Sequence, residues 1–182
     1  IDVGANIDPK PHHLHQYGVM GTVYARRVLG IEQPRVGLMN VGSEEQKGTE
    51  DMQRARDLLR DDPAVEFVGY VEGRGVFAGD CDVVISDGVT GNVTIKLAEG
   101  LSKGIFKLLQ QELESHDPAF VSQFAPIVKK LYAEYDYHEY GGAPLMGVNG
   151  GCLICHGSSK ARTITNALAA ARRFVELGVN AR

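Results

Sequence analysis

The sequence predicts an α/β protein built on a mostly parallel sheet, and three observations carry that expectation. Short apolar runs alternate with amphipathic helical stretches as far as Ser86. The run Arg35–Val41 (RVGLMNV) lacks the strict apolar/polar alternation of a half-wet sheet and reads as a strand covered on both faces. The loops that follow the apolar runs are rich in glycine and feed directly into helices, which is how βα units are joined.

Taken in order, Ile1-Asp2-Val3-Gly4-Ala5-Asn6 reads as the last residues of a strand already under way, followed by a turn. Pro9 and Pro11 suit the first turn of a helix, and Leu14, Tyr17, Gly21, Tyr24 and Val28 then recur on one face until Gly30 closes it. Thr49 is the expected cap of a second helix that carries Met52, Ala55, Leu58 and Leu59 inward and stops at Asp62-Pro63. Val65–Val71 and Asp82–Ser86 are two further short strands, separated by a glycine-punctuated segment around Phe77. From Asn92 a helix runs to about Leu113, breaks at Ser115-His116-Asp117-Pro118, and resumes to about Tyr135. This helical pair, residues 92–135, is longer than a simple crossover. Asn149-Gly150-Gly151 favours a tight hairpin between Leu145–Val148 and Cys152–Cys155, and a last helix ends near Gly178.

The 182 residues carry ordinary hydrophobic and charged fractions, 43% and 23%, so one compact α/β unit over residues 1–182 is the expectation. A net charge of −4 without a basic run argues against nucleic-acid binding. Three cysteines without framework spacing point to a reducing cytoplasm, and no stretch is apolar enough to span a bilayer, so any membrane contact is peripheral. The abrupt start, in mid-strand and without methionine, suggests a piece of a longer protein.

Three loops carry residues suited to anion chemistry. In Gly42–Thr49, Lys47 beside Gly48 places an ammonium and backbone N–H groups near one anion, although a solvated Glu/Lys turn has the same composition. In Asp87–Asn92, the Asn92 amide can donate to a carbonyl or phosphoryl oxygen and Asp87 can orient a base, lysine or water. The ordinary alternative is that Asp87-Gly88 is a turn and Asn92 a helix cap. In His156–Ser159, Gly157 opens the backbone to a ligand, while Ser158 and Ser159 either cap the last helix or donate hydroxyls to a phosphate-like oxygen beside His156. Together the loops would meet at the C-terminal edge of the sheet, where open α/β sheets bind ligands.

Other motifs are set aside. Cys152-x-x-Cys155-His156 has haem-attachment spacing, but it falls in an expected buried strand where residues three apart face opposite sides. His12, His13 and His15 have no i, i+4 pair and read as exposed histidines, so no metal site is expected. Gly73-Arg74-Gly75 lacks the rest of a dinucleotide fingerprint. Phe120, Phe124, Ile127, Val128 and Leu131 form an apolar stripe suited to core or dimer packing, or to touching a membrane with Lys129 and Lys130 on the polar side.

The succession IDVGAN with Lys10-Pro11, NVGSEEQKG (40–48), SDGVTGNVTIK (86–96), YGGAPLMGVNG (140–150) and HGSS (156–159) resembles the bacterial phosphate:acyl-(acyl carrier protein) acyltransferases, the PlsX family. The likeness spans nearly the whole chain and keeps the motif order, and it places the chain in the C-terminal part of such an enzyme. It implies transfer of a long fatty acyl group from acyl carrier protein to inorganic phosphate, giving acyl phosphate for phospholipid synthesis. It also implies a three-layer α/β/α fold akin to phosphotransacetylases and isocitrate-type dehydrogenases, with the helical pair protruding. A homodimer at the inner face of the membrane, with no metal or other cofactor, is the further implication. On that reading Lys47 and Asn92 are catalytic, and Gly48, Asp87, Gly91, His156, Gly157, Ser158 and Ser159 hold phosphate or substrate. Cys152 and Cys155 lie outside the family pattern. A short-chain phosphotransacetylase acting on acyl-coenzyme A and a noncatalytic carrier-binding or dimerisation piece are the alternatives.

Overall fold

A computed structural model describes residues 1–114, 116–134, 142–155, 157 and 159–179. Its order is α1 (Pro11–Tyr24), β1 (Arg35–Met39), α2 (Glu50–Asp61), β2 (Glu66–Val71), β3 (Val83–Ile85), α3 (Gly88–Glu114), α4 (Pro118–Glu134), β4 (Ala143–Pro144), β5 (Leu153–Ile154) and α5 (Ala161–Glu176). The expected α/β class is met by a three-stranded sheet in the order β2-β1-β3, all pairs parallel. Contacts divide the chain into two compact units, Ile1–Ile95 with Phe174–Arg182, and Lys96–Arg173.

In the first unit, Val36 and Leu38 of β1 sit on one face with Ile85, against Leu14 of α1 and Ala55 and Leu59 of α2. Val36, Leu59 and Ile85 are completely buried, and burying each such side chain stabilises by roughly 1.5–3 kcal/mol. Gly18 lets α1 lie close, because a methyl there would sit 3.2 Å from Ile85 Cδ1 and still nearer Leu59. Met39 turns to the opposite face, where its sulfur lies 4.0 Å from Thr94 Oγ1 of α3. A β-bulge at Val68, between the pairs Val36–Phe67 and Gly37–Gly69, bends the edge strand β2.

Several elements depart from the sequence expectation. Leu58 does not point inward; it is exposed, and Ala55 and Leu59 alone form the buried face of α2. The face running from Leu14 to Val28 is not one regular helix, since α1 gives way to a π-helical turn at Ala25–Leu29 that buries Ala25 before Gly30 ends it in the left-handed conformation. The third helix begins at Gly88, four residues ahead of Asn92. His15 is not an exposed histidine: its Nε2 lies 2.7 Å from Asp62 Oδ2 at the end of α2. The Asp62 carboxyl is held below the ordinary carboxylate range, chiefly by the Ala64 N–H and then by His15.

In the second unit, α3 and α4 enclose a groove of about 580 Å³ lined by Phe106, Leu113, Val121, Ala125 and Val128. Phe120, Phe124, Ile127 and Leu131 remain exposed, with the rings of Phe120 and Phe124 stacked 4.6 Å apart. The hairpin is present but its first strand is Ala143–Pro144, not Leu145–Val148, and the connection from Leu145 to Cys152 is longer than a tight turn. Gly147 and Gly150 both take positive φ within it. The strand carrying the cysteines is not buried: Ile154 is exposed, as is Cys152. Among the described residues no helix is long and apolar enough to cross a membrane.

Candidate functional site

The C-terminal edge of the sheet opens into a cavity of about 810 Å³ in the first unit. Its floor is Leu38, Met39 and Ser86, at or just beyond the ends of β1 and β3, and its walls include Gly48, Thr49, Glu50 and Asp51 at the start of α2 and Asp87 and Thr90 at the start of α3. Asp8 and Pro9, just ahead of α1, complete the rim. Three helix N-termini therefore border one hollow at the edge expected from the sequence.

The N-terminal segment braces this edge. Its Ile1 nitrogen donates to the Val84 carbonyl at 2.8 Å and its carbonyl accepts from Ser86 N–H at 2.7 Å, so Ile1 lies beside β3 as a neighbouring strand would. Asp2 then turns the chain: its carboxylate accepts the N–H groups of Gly4, Ala5 and Asn6 at 3.0, 2.7 and 2.8 Å. The following residues dock on α3 through Gly88 N–H to Asn6 O, 2.8 Å, and Asn92 Nδ2 to Val3 O, 2.8 Å.

Asp87 is the N-cap of α3. Its carboxylate accepts the N–H groups of Val89 and Thr90 at 2.9 and 2.8 Å and the Thr90 hydroxyl at 2.5 Å. Burial pushes this carboxyl up, but the hydrogen bonds from the Thr90 hydroxyl and the two N–H groups outweigh burial and hold it below the ordinary range. Gly91 N–H goes to the Asp87 carbonyl at 2.9 Å, so every first-turn donor of α3 is already used inside the chain. Gly91 itself packs on the Asp2 carbonyl rather than facing open space.

The start of α2 differs. Thr49 Oγ1 accepts from Met52 N–H at 3.2 Å as expected of a cap, and Gln53 N–H goes to the Thr49 carbonyl at 3.0 Å. The N–H groups of Glu50 and Asp51 are left without an intrahelical partner, at residues that line the cavity. Gly48, with φ of 84°, packs against Asn40, the residue that follows β1. Asn40 is buried, and no feature of the sequence singled it out as a site residue. Lys47 lies exposed in the adjoining turn, outside the cavity wall, with its stem beside Gly42. The carboxylates at the rim are partly balanced: Asp8 pairs with Lys10 at 2.7 Å, and Arg54 lies 3.5 Å from Glu50 and 3.8 Å from Asp51.

The third loop belongs to the second unit. His156 and Ser158 lie outside the described residues. Gly157 is exposed, and the Ser159 hydroxyl is buried without a hydrogen-bond partner among the described residues. Ser159 does not cap α5 directly, because that helix starts at Ala161 and Ile164 N–H reaches the Lys160 carbonyl at 3.1 Å.

A family model described as "Fatty acid synthesis protein" matches residues 1–182. The chain belongs to that family. Its curated relatives include a phosphate acyltransferase of Citrifermentans bemidjiense, 46% identical over 187 residues that cover 100% of this chain and 52% of the relative. Proteins of the same name from Geobacter sulfurreducens, 45% identical, and Pelotomaculum thermopropionicum, 47% identical, cover 100% and 97% of the chain and 53% and 52% of their own lengths. The chain thus spans about half the length of the curated relatives it matches. The family match bears out the resemblance drawn from the loop motifs, whose first three members border or adjoin the cavity.

Proposed function

We propose that this chain supplies the phosphate side of a phosphate acyltransferase, which moves a long-chain fatty acyl group from acyl carrier protein to inorganic phosphate. The observation that carries the reading is the hollow at the C-terminal edge of the sheet, bordered by three helix N-termini, in a chain whose relatives bear that name. A phosphate oxygen attacks the thioester carbonyl carbon, the tetrahedral oxyanion collapses with cleavage of the C–S bond, and the carrier thiolate leaves. No acyl-enzyme is needed, because phosphate is itself the nucleophile.

Lys47 supplies positive charge to phosphate or to the oxyanion from its exposed side chain. Asn92 gives one amide hydrogen to Val3 O and keeps its second for the reacting oxygen. Gly48 lets the anion approach the start of α2, while Asp87 and Gly91 fix the start of α3 and the Asp2 turn against it. Ser158, Ser159 and the backbone near Gly157 help to seat phosphate, with His156 as polar support. A three-layer α/β/α scaffold of the phosphotransacetylase kind suits α1 and α2 on one face of the sheet and Thr94 of α3 on the other. The exposed stripe of Phe120, Phe124, Ile127 and Leu131 suits packing in a homodimer, or contact with the inner face of the membrane.

The test is phosphate-dependent consumption of long-chain acyl carrier protein, with acetyl-coenzyme A as the rival donor. It uses the chain alone and the chain supplemented with the N-terminal half of the Geobacter sulfurreducens relative. Activity with the carrier-protein donor is expected in at least the supplemented sample, and Lys47→Ala should lower it on the order of a hundredfold. Preference for acetyl-coenzyme A, or full activity in Lys47→Ala, would reject the assignment.

A further inference from the structure

Asn40 closes the strand β1 and is 7% exposed, yet its side-chain nitrogen has no hydrogen-bond partner among the described residues. A buried amide NH₂ left unpaired costs about 1–3 kcal/mol, so a ligand that accepts from it is the usual compensation. The orientation of the amide is fixed by its other end: Val41 N–H can donate only to an oxygen, and it does so to Asn40 Oδ1 at 2.8 Å. The backbone is fixed as well, by Asn40 N–H to Val71 O at 2.9 Å. Asn40 lines the cavity, as do Glu50 and Asp51, whose N–H groups have no intrahelical partner at the start of α2. Gly48 lies against the amide, where a methyl would stand 3.0 Å from Nδ2 and 2.9 Å from Oδ1. A side chain at Gly48 would therefore press directly on this donor.

We infer that Asn40 Nδ2 is a direct binding donor for a tetrahedral oxyanion, inorganic phosphate, which it holds together with the N–H groups of Glu50 and Asp51. The inference rests on the proposed function and adds to it a residue whose donor is preorganised, buried and otherwise unspent. Lys47 is exposed by comparison, so the division of labour is charge from Lys47 and directional hydrogen bonding from Asn40. An anion seated there would lie between β1 and α2 with the positive end of that helix behind it.

The experiment is a titration of the ¹⁵N-labelled chain with inorganic phosphate against chloride at equal ionic strength. It follows the Asn40 side-chain NH₂ resonances in the wild type and the affinity of Asn40→Asp. That substitution keeps the oxygen that serves Val41 and replaces the donor with an acceptor. Saturable shifts of the Asn40 NH₂ pair, with affinity at least about tenfold weaker in Asn40→Asp, are expected. Saturable binding by the wild type with a silent Asn40 NH₂ pair, or with unchanged affinity in a folded Asn40→Asp, would overturn this inference and leave the proposed function standing. Absence of any saturable phosphate effect in the wild type would overturn both. The wild-type resonances decide the matter even if Asn40→Asp does not fold.

Discussion

Replacing Gly91 with alanine tests how the N-terminal segment and α3 hold the floor of the cavity. The added methyl would fall well inside van der Waals contact of the Asp2 carbonyl oxygen, 2.7 Å from Ser86 Oγ and 3.0 Å from the Asp2 carbonyl carbon. Two of these neighbours are backbone, and the Asp2 turn is pinned by three N–H groups, so rotating a side chain cannot relieve the contact. The segment must lift off α3, which breaks Ser86 Oγ to Asp2 O, Asn92 Nδ2 to Val3 O and Gly88 N–H to Asn6 O. At about 1 kcal/mol for each bond the loss is about 3 kcal/mol. Alanine in a helix regains about 1 kcal/mol of backbone entropy, which leaves a net destabilisation of about 2 kcal/mol. Gly100→Ala is the internal control, since it lies in the same helix with nothing within 4 Å of an added methyl. It should stabilise by about 0.5–1 kcal/mol. The chain has no tryptophan, so urea unfolding is followed by far-ultraviolet circular dichroism. Equal stabilities for Gly91→Ala and Gly100→Ala would refute the reasoning.

The Asp87 carboxyl titrates below the ordinary value of about 3.9 because its cap bonds outweigh burial. Its contribution is therefore present above that value and is lost as pH falls through the lowered folded value. Asp87→Asn keeps an acceptor for Val89 and Thr90 but removes the titration, so its stability should fall less steeply between about pH 5 and 2. Parallel acid-unfolding curves for the two proteins would contradict that origin. Thr49→Ala removes the oxygen that receives Met52 N–H and should cost about 1 kcal/mol in urea unfolding; no change would mean that the α2 cap is not needed.

What was legible in the sequence were the features decided by short-range chemistry. The run RVGLMNV announces a strand covered on both faces, and Val36 and Leu38 are buried against α1 and α2 on one face while Met39 reaches Thr94 of α3 on the other. Thr49 announces a cap because a threonine ahead of an acidic first turn satisfies a donor that the helix cannot. The start of α3 was hidden because Gly88 and Gly91 weaken helix propensity, so Asp87–Asn92 read as a loop. There the Asp87 cap and docking on residues 1–6 override propensity, and neither the dock nor its strength is visible in local sequence. Asn40 drew no attention in the sequence for a related reason: its burial and its unpaired amide depend on Val71 and Gly48, which the chain brings to it only on folding.

The glycines sharpen the point. Gly88 and Gly91 lie in the segment Asp87–Asn92, expected to be a loop at the site, yet the space a side chain would take there is filled by the backbone of Asn6 and Asp2. Gly48, of the same residue type and also at a strand-to-helix junction, is bounded instead by the unpaired amide of Asn40 at the cavity wall. A glycine before a helix thus signals close approach, but sequence alone does not say whether the approaching group is the chain itself or a ligand. Here that difference divides the edge of the sheet. Among the described residues the first turn of α3 spends its donors on holding the protein together, whereas the N–H groups of Glu50 and Asp51 have no intrahelical partner, and this contrast is why the proposed anion seat is placed at α2 and Asn40 rather than at the first turn of α3.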